Sequence, residues 1–276
     1  MPKLRVDGAL LNYQIVGSGS PIVLVHGSAT DLSTWDGVVD DLAVHHRVIT
    51  YDRRGYGEST HPPVRDHRIH ARDLEAVLEH LAIIPATVVG WSSGGNVTLA
   101  VAASRPELFQ TIVVVEPPFH GLRHSNRSVL ATALKLKLRQ LQGRPVEALE
   151  VFLRFGSTLR SGGNGYDLAD EAEREKLRAY PGPVLAEWDP HPFGVMHEHV
   201  STAAVAAIAT PLTWILGGQS LPWMATLHAR VARRRTTLRT VVIPGAGHLV
   251  HLDRPADFVR EVTTAMSLPD PDSLPT

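Results

Sequence analysis

Runs of consecutive apolar residues recur along the chain, separated by segments whose apolar residues have helical spacing. A strand that is buried on both faces forms a continuous apolar run instead of an alternating one. Such runs predict buried parallel strands at residues 21–25, 47–51, 87–89, 111–115, 211–216 and 239–243. Amphipathic spacing predicts helices at 35–42, 69–81, 96–103, 227–235 and 258–266, and a loose alternation predicts a hairpin at 4–16.

The alternation of strands and helices indicates an α/β fold. Strands of this kind are joined by right-handed crossovers and form a parallel sheet. The C-terminal ends of parallel strands lie along one edge of the sheet, which is where open α/β sheets place their functional sites. We therefore expect the loops after Val25, Tyr51, Val89 and Val115 to gather at one site.

The pattern changes between residues 119 and 207, where helical spacing replaces the buried strand-like runs. Helices are predicted in this span at 129–141, 145–155 and 169–179. Stretches rich in Gly or Pro interrupt the span at 161–165, 181–183 and 189–192. We therefore predict a core formed by residues 1–118 and 208–276, and a helical cap, residues 119–207, that covers the sheet edge and shapes a pocket.

Composition and charge exclude several classes of protein. The chain has 276 residues, of which 43% are hydrophobic, and a formal net charge of −1. This length suffices for one large core. The balanced charge gives no reason to expect a nucleic acid or a charged membrane surface as a partner. Cysteine is absent, which excludes disulfides, thiolate catalysis and zinc–thiolate sites.

Signals for targeting and for metal binding are also missing from the sequence. The N-terminal residues lack the apolar segment of a signal peptide, and no apolar run approaches the roughly 18 residues of a membrane helix. We therefore expect a cytoplasmic monomer or homodimer. The 15 histidines include no His-Glu-x-x-His pattern. We expect no metal ion and no other cofactor.

The stretch Gly90-x-Ser92-x-Gly94 carries the most specific chemical signal in the chain. It lies between the buried strand at 87–89 and the helix of small residues at 96–103, which is the context of a nucleophile elbow. Such a turn presents a strained serine at the head of a helix, where backbone N–H groups stabilise developing negative charge. This context favours Ser92 as a nucleophile over a chance match of common residues.

A serine hydroxyl needs a base to take its proton. His248 directly follows the last predicted strand and a glycine turn, which brings it to the same sheet edge as Ser92. The alternative is that His248 caps an element or fills the core. His251 is the second candidate for the base. We predict that His26 shapes the loop after its strand, and that Asp52 holds its own loop through hydrogen bonds.

Four motifs occur in a familiar order: His26-Gly27, Asp52-x-Arg54-Gly55-x-Gly57-x-Ser59, Gly90-x-Ser92-x-Gly94 and Gly247-His248. On these residues the chain resembles the α/β-hydrolase superfamily over nearly its whole length. The resemblance implies a mostly parallel eight-stranded sheet with helices on both faces and a helical cap insertion. It also implies a triad of serine, histidine and an acid.

The acid departs from the usual pattern of this superfamily. Most members carry an Asp three residues beyond the glycine that matches Gly217, and this chain has Ser220 there. Glu198 is the one carboxylate between Asp189 and Asp253. The usual position of the acid therefore holds no carboxylate.

Glu116 is the predicted replacement, because it ends the strand next to the elbow. A minority of the superfamily places its acid after the sixth strand. The chain resembles one such group, the fungal zearalenone lactonases, in having a serine, a histidine and a Glu followed by proline in this position. This resemblance implies that Glu116 fixes the tautomer of His248 and stabilises its protonated form. The alternative role of Glu116 is to anchor its loop.

The resemblance also implies an oxyanion hole. In this fold it uses the N–H of the residue after the nucleophile, here Ser93, and one from the loop after the third strand, here Ser28. Trp188, His191 and Phe193 of the predicted cap either line the substrate pocket or fill the interior of the cap.

Together these features predict a cofactor-independent serine hydrolase that cleaves a small-molecule ester or lactone through an acyl-enzyme. A C–C bond hydrolase or a perhydrolase with the same triad is an alternative, and so is a ligand receptor with a hydrolase-like site. Dehalogenase and epoxide-hydrolase chemistry are disfavoured, because those relatives carry Asp where this chain has Ser92.

Overall fold

The computed structural model describes residues 1–118, 127–188 and 200–268. Its strands are β1 (Lys3–Val6), β2 (Ala9–Val16), β3 (Ser20–Val25), β4 (His46–Tyr51), β5 (Ala86–Trp91), β6 (Phe109–Val115), β7 (Leu212–Gly217) and β8 (Arg239–Ile243). They form one sheet in the order β1-β2-β4-β3-β5-β6-β7-β8. Within this sheet of the described residues, β1 with β2 and β2 with β4 pair antiparallel, and all other neighbours pair parallel. The predicted α/β fold with a mostly parallel, eight-stranded sheet is confirmed.

Helices connect these strands and extend beyond the sheet. They are α1 (Asp36–Ala43), α2 (His67–His80), α3 (Ser93–Ser104), α4 (Arg127–Leu141), α5 (Pro145–Gly156), α6 (Gly165–Leu168), α7 (Glu171–Leu177), α8 (Pro181–Trp188), α9 (Thr202–Ala206), α10 (Pro222–Ala232), α11 (Val250–Asp253) and α12 (Pro255–Ser267). Two short 3₁₀ helices, Leu32–Trp35 and Pro106–Leu108, lie in the connections.

Among the helix starts that differ from the sequence prediction, two have the same cause. Helix α10 begins at Pro222, five residues before the predicted start at residue 227, and it ends at Ala232. Helix α12 begins at Pro255, three residues before the predicted start at residue 258. Proline is favoured in the first turn of a helix, where its missing N–H is not needed and its fixed φ suits the helix. The apolar spacing alone therefore placed both starts too late.

The continuous apolar runs are explained by a core on each face of the sheet. Val23 of β3 and Val88 of β5 belong to one buried cluster, together with residues of α2 and α3. Their neighbours Leu24 and Val89 belong to a second cluster with residues of α1 and α12. Successive side chains of a strand point to opposite faces, so strands covered by helices on both faces need apolar residues at every position.

In its described part, the segment between β6 and β7 is mostly helical. It contains α4 to α9, and its β-structure in the described residues is a single bridge between Thr158 and Asn164. Leu149, Leu153, Tyr166 and Val184 of this segment pack around Tyr56 of the loop after β4. The assignment of residues 119–207 to a separate cap stays a prediction.

Among the described residues, no helix combines the length and the apolar character needed to cross a membrane.

Candidate active site

The turn between β5 and α3 holds Ser92 in a strained conformation. Its backbone has φ 52° and ψ −125°, a region that residues other than glycine rarely occupy. The two glycines of the motif permit close packing around this turn. A Cβ on Gly90 would lie 2.4 Å from Thr98 Oγ1, and a Cβ on Gly94 would lie 2.2 Å from the carbonyl oxygen of Val25. The glycines thus let strand, turn and helix approach one another while Ser92 stays at the tip.

His248 lies on the loop after β8 and faces Ser92. Its Nε2 is 3.0 Å from Ser92 Oγ, and its side chain is 11% exposed. Two contacts that the sequence analysis missed hold this loop in place. Trp91 Nε1 donates to the carbonyl oxygen of His248 over 2.8 Å. Gly247 N donates to Asp253 Oδ2 over 2.7 Å.

Glu116 follows β6 and lies on the other side of His248. Its Oε2 is 2.8 Å from His248 Nδ1, and its Oε1 accepts a hydrogen bond of 2.8 Å from Gly217 N. The residue is buried and has a positive φ of 46°. An ionised carboxylate can only accept, so His248 Nδ1 carries the hydrogen and Nε2 is free to accept the proton of Ser92. In this tautomer, the acceptor nitrogen of His248 faces Ser92 Oγ.

Of the other positions considered for the acid, the two that the structure describes, Ser220 and Asp253, are not bound to His248. Ser220 is buried, and its Oγ has no hydrogen-bond partner in the described part of the chain. The side chain of Asp253 is bound to Gly247 N instead of the imidazole. Glu198 lies outside the described residues.

The second candidate base lies away from Ser92. His251 is fully buried, its Nε2 is 3.0 Å from Thr34 Oγ1, and its ring packs against those of Trp35, Trp91 and Phe258. Burial, aided by the nearby His248, lowers the pKa of His251 to about 3. His251 is thus a neutral core residue.

The loop that carries Ser28 and the start of α3, which carries Ser93, meet next to Ser92. A Cβ on Gly27 would lie 2.8 Å from the ring of Trp91 and 3.1 Å from Ser92 Cβ, so the loop after β3 passes directly over the elbow. The hydroxyl oxygens of Ser28 and Ser93 are 2.9 Å apart. Both residues line the same cavity as Ser92 and His248.

His26 and Asp52 stabilise the loops that follow β3 and β4 through hydrogen bonds. Arg53 N donates to His26 Nε2 over 2.9 Å, which leaves the hydrogen on Nδ1 to be donated to the carbonyl oxygen of Gly27 over 2.7 Å. Burial and the charge of Arg53 lower the pKa of His26 to about 3, so the ring is neutral. Asp52 accepts hydrogen bonds from Leu32 N, Glu58 N and Asn12 Nδ2, and thereby holds its loop.

A buried ion pair beside Ser28 and Ser93 is the main feature that the sequence analysis missed. Arg53 Nη1 donates to Glu187 Oε1 over 3.0 Å, and both side chains are almost completely buried. His70 Nε2 lies 3.3 Å from the same oxygen. Burial opposes the ionisation of a carboxyl, but Arg53 and His70 outweigh it and hold the pKa of Glu187 well below its usual range. No local pattern links the two partners, because 134 positions separate them.

The cavity in front of Ser92 has a volume of about 480 Å³. Polar groups, among them Ser28, Asn96 and Glu187, line it together with the catalytic candidates. The rest of its wall is largely apolar and comes from the helices between β6 and β7 and from the segments after β7 and β8: Phe152, Leu153, Phe155, Trp188, Trp223, Met224, Leu249 and Leu252.

Of the predicted pocket residues in the segment between β6 and β7, Trp188 lines the cavity. Its ring also packs edge-on against Phe152, with centroids 5.1 Å apart, so it both lines the pocket and belongs to the interior of the segment. His191 and Phe193 lie outside the described residues. Phe152 and Phe155 were missed, although the amphipathic spacing of α5 marks one of its faces as buried.

In the part of the chain that the structure describes, no three His, Asp or Glu side chains are arranged to hold a metal ion.

Fold and site together define an α/β hydrolase. A family model described as alpha/beta hydrolase fold matches residues 20–157, and the chain belongs to this family. Its elbow, histidine loop and cavity occupy the sheet edge at which this fold carries its chemistry. The protein is therefore a hydrolase of the α/β family.

Individual relatives are similar over most of the chain. The esterase YbfF of Escherichia coli (strain K12) is 27% identical over 249 residues, which cover 89% of this chain and 92% of the relative. The sn-1-specific diacylglycerol lipase ABHD11 of Mus musculus is 25% identical over 259 residues, covering 89% of this chain and 80% of the relative. The solved enol-lactonase from Burkholderia xenovorans LB400 has a TM-score of 0.78 at 21% identity, covering 97% of this chain and 100% of that one. At this identity, the solved structure supports the fold alone.

Proposed function

We propose that this hydrolase cleaves a carboxylic ester or lactone through a Ser92–His248–Glu116 triad and an acyl-enzyme. One observation carries the proposal: a continuous line of hydrogen-bond distances joins the three side chains. Ser92 Oγ is 3.0 Å from His248 Nε2, and His248 Nδ1 is 2.8 Å from Glu116 Oε2. Nucleophile, base and orienting acid in this sequence are the arrangement that activates a serine.

The first half-reaction follows from this geometry. His248 Nε2 takes the proton of Ser92 as Oγ bonds to the carbonyl carbon of the substrate, and the carbonyl π electrons move onto oxygen. Ser28 N–H and Ser93 N–H donate to that oxyanion, and the N-terminal end of α3 adds its dipole. The imidazolium, stabilised by Glu116, then gives its proton to the leaving alkoxide as the carbon–oxygen bond breaks.

The second half-reaction repeats these steps with water. His248 takes a proton from water, whose oxygen attacks the acyl carbon, and the oxyanion occupies the same hole. Collapse of the intermediate returns the proton to Ser92 Oγ and releases the acid. A lactone gives the same sequence, except that the alcohol stays attached to the acyl group and leaves with it.

The substrate class is supported by relatives and by the cavity wall. Relatives at 27% and 25% identity are named an esterase and a diacylglycerol lipase. Phe152, Phe155 and Trp223 give the cavity an apolar wall that suits an acyl chain or a ring. We propose that helices α4 to α9 form a cap that supplies much of this wall and excludes water from the site.

A fluorophosphonate probe tests the nucleophile. We expect the purified protein to be labelled at Ser92, and the Ser92→Ala variant to remain unlabelled while its circular dichroism and melting temperature are unchanged. Ser92→Ala should lose about 10³-fold or more in kcat. Labelling of another residue, or hydrolysis retained by Ser92→Ala, would overturn the proposal. A ligand receptor with a degraded site should label poorly.

A substrate panel then decides between the classes. p-Nitrophenyl esters of increasing chain length, small lactones and macrocyclic lactones should be compared at equal enzyme concentration, with Ser92→Ala as the blank. Turnover of esters or lactones supports the proposal. If Ser92 is labelled but only carbon–carbon cleavage or peracid formation is observed, the triad stands and the substrate class is wrong.

A further inference from the structure

Arg53 and Glu187 form a ring of hydrogen bonds with the side chains of Ser28 and Ser93. The backbone N–H groups of these two serines form the candidate oxyanion hole. Ser28 Oγ is 2.6 Å from Glu187 Oε2, and a carboxylate can only accept, so Ser28 donates its proton there. The 2.9 Å contact between Ser28 and Ser93 is then donated by Ser93. Arg53 Nη2 donates to Ser93 Oγ over 3.0 Å, and Arg53 Nη1 completes the ring at Glu187.

Arg53 also fixes the orientation of the Gly27–Ser28 peptide. Its Nη2 donates to the carbonyl oxygen of Gly27 over 3.0 Å, on which His26 Nδ1 converges over 2.7 Å. In a planar trans peptide, the carbonyl of Gly27 and the N–H of Ser28 point in opposite directions. Two donors that hold the carbonyl on the Arg53 side therefore turn the Ser28 N–H away from Arg53.

The charges of the ring are suited to a site where negative charge develops. The carboxylate of Glu187 is bound to the hydroxyl of Ser28. Without a positive partner, its negative charge would repel an oxyanion that forms beside Ser28. Its ion pair with Arg53 makes the ring neutral overall, and the guanidinium is the member that contacts both Gly27 and Ser93. The positive end of the pair thus lies against the two backbone segments that carry the proposed donors.

We propose that Arg53 and Glu187 are positioning residues that orient the backbone donors of the oxyanion hole. Through them, the geometry of the hole depends on the position of α8. Glu187 belongs to α8 in the helical segment between β6 and β7, whereas Ser28 and Arg53 lie on loops at the sheet edge and Ser93 is the first residue of α3. Displacement of α8 removes one side of the ring, so the oxyanion hole is complete only when this helix is in place. This inference rests on the proposed serine hydrolase mechanism.

The test replaces both charges together, because a single loss leaves an unpaired buried charge and destabilises the protein. In Arg53→Met/Glu187→Met we expect kcat for a p-nitrophenyl ester to fall about 10- to 10²-fold, with KM changed less than about threefold. Arg53→Lys is the second variant. Lysine keeps the charge but presents no fork able to bind Glu187, Gly27 and Ser93 at once, so it should show a similar loss.

A matched control removes a neighbouring buried ion pair, which joins Arg54 of the same loop to Asp73 of α2. Arg54 Nε and Nη2 bind Asp73 at 2.8 and 2.5 Å, and Arg54 also donates to the carbonyl oxygens of Val6 and Asp7, away from the elbow. Arg54→Met/Asp73→Met should lower the melting temperature but leave kcat within about threefold of the wild type.

Two inhibitors separate positioning of the hole from a general structural effect. An alkyl trifluoromethyl ketone adds Ser92 Oγ and forms an oxyanion, whereas the methyl ketone of the same chain length binds as a ground-state mimic. In Arg53→Met/Glu187→Met, the Ki of the trifluoromethyl ketone should rise by the factor lost in kcat/KM, and the Ki of the methyl ketone should stay constant.

The outcomes distinguish this inference from the proposed mechanism. Unchanged kcat in folded Arg53→Met/Glu187→Met and Arg53→Lys, or equal weakening of both ketones, overturns the positioning role even if Ser92 is still labelled by fluorophosphonate. Failure of the wild-type protein to be labelled at Ser92 overturns the serine mechanism itself.

Discussion

The backbone of Glu116 shows how one residue at a strand end can serve two neighbours. Its positive φ of 46° is a strained conformation for a side chain with a Cβ. The strain is offset because Glu116 N donates to Ile215 O over 3.1 Å while Oε1 accepts from Gly217 N over 2.8 Å. The side chain is thereby tied to the end of β7, the strand after which most of the superfamily carries its acid.

Replacement of Glu116 by Gln tests its proposed role. The amide has nearly the same volume as the carboxylate, but its NH₂ group can donate to His248 Nδ1 and so favour the wrong tautomer. It also lacks the negative charge that stabilises the imidazolium. We expect kcat to fall about 10²- to 10⁴-fold with little change in KM. Ser220→Ala is the control, and it should cost less than about tenfold. Similar losses in the two variants would refute the assignment of Glu116.

A second residue-scale prediction concerns acid stability. The pKa of His251 is lowered from 6.5 to about 3, mainly by burial. Below about pH 6.5 the unfolded chain binds a proton at this position that the folded chain excludes, so stability falls as the pH decreases toward 3. Each pH unit in this window costs about 1.4 kcal/mol per such histidine. Above the window the contribution is constant.

Urea unfolding at about pH 7 and about pH 5 measures this effect. The wild type should lose about 2 kcal/mol through His251 over this interval. Between the same two pH values, the free energy of unfolding of His251→Asn should decrease by about 2 kcal/mol less than that of the wild type. This difference does not depend on the stability of the variant at pH 7. His45→Asn, at an exposed histidine, is the control and should follow the wild type. Parallel pH profiles for wild type and His251→Asn would contradict the prediction.

At the scale of elements, α5 joins the interior of the helical segment to the cavity. Ala148 and Leu149 are fully buried within the segment, whereas Phe152, Leu153 and Phe155 line the cavity. One amphipathic helix therefore supports the segment and shapes the space available to a substrate. Substitutions on α5 should separate these two roles.

Phe152→Ala should change the preference for acyl-chain length. Removal of the ring enlarges the cavity next to Trp188. The kcat/KM for octanoate esters should therefore gain about tenfold relative to that for butanoate esters. The comparison of p-nitrophenyl esters measures this ratio. Leu134→Ala on α4, at a side chain that is 72% exposed, is the control and should leave the ratio unchanged. An unaltered ratio in Phe152→Ala would place the acyl chain elsewhere.

At the scale of the whole molecule, the question is whether the helical segment unfolds with the sheet or by itself. Among the described residues, the two faces of the sheet each carry a large buried cluster, whereas the two clusters that contain residues of α5 and α8 are smaller. One of these smaller clusters also includes Ala29 and Tyr56 of the sheet-edge loops. Units with fewer buried apolar contacts open at lower free energy than the core around them. The proposed cap is therefore expected to be the less stable unit.

Hydrogen exchange of two Leu→Ala variants tests this expectation. Both Leu149 and Leu24 are fully buried, and each substitution should cost about 2–5 kcal/mol. Leu149→Ala should accelerate exchange in residues 145–188 and leave β3, β5 and β6 unchanged. Leu24→Ala should accelerate exchange throughout the chain. Acceleration of the sheet strands by Leu149→Ala would show that cap and core form one cooperative unit.

Local patterns determined the parts of this protein that depend on neighbouring residues. Consecutive apolar residues predicted the six parallel strands, because burial on both faces of a strand requires them. Gly90 and Gly94 marked the turn at Ser92, because only glycine permits the close approaches found there. The edge position of Glu116 and His248 followed from the common direction of parallel strands.

Tertiary structure decided what depends on residues far apart in the chain. The ion pair of Arg53 and Glu187 joins a loop after β4 to a helix 134 positions later, and the walls of the cavity come from several separate elements. These contacts exist only once the helical segment has packed on the sheet edge. The free energy that keeps two charges buried comes from their pairing in that packed state, and neither residue carries a local signal of its partner.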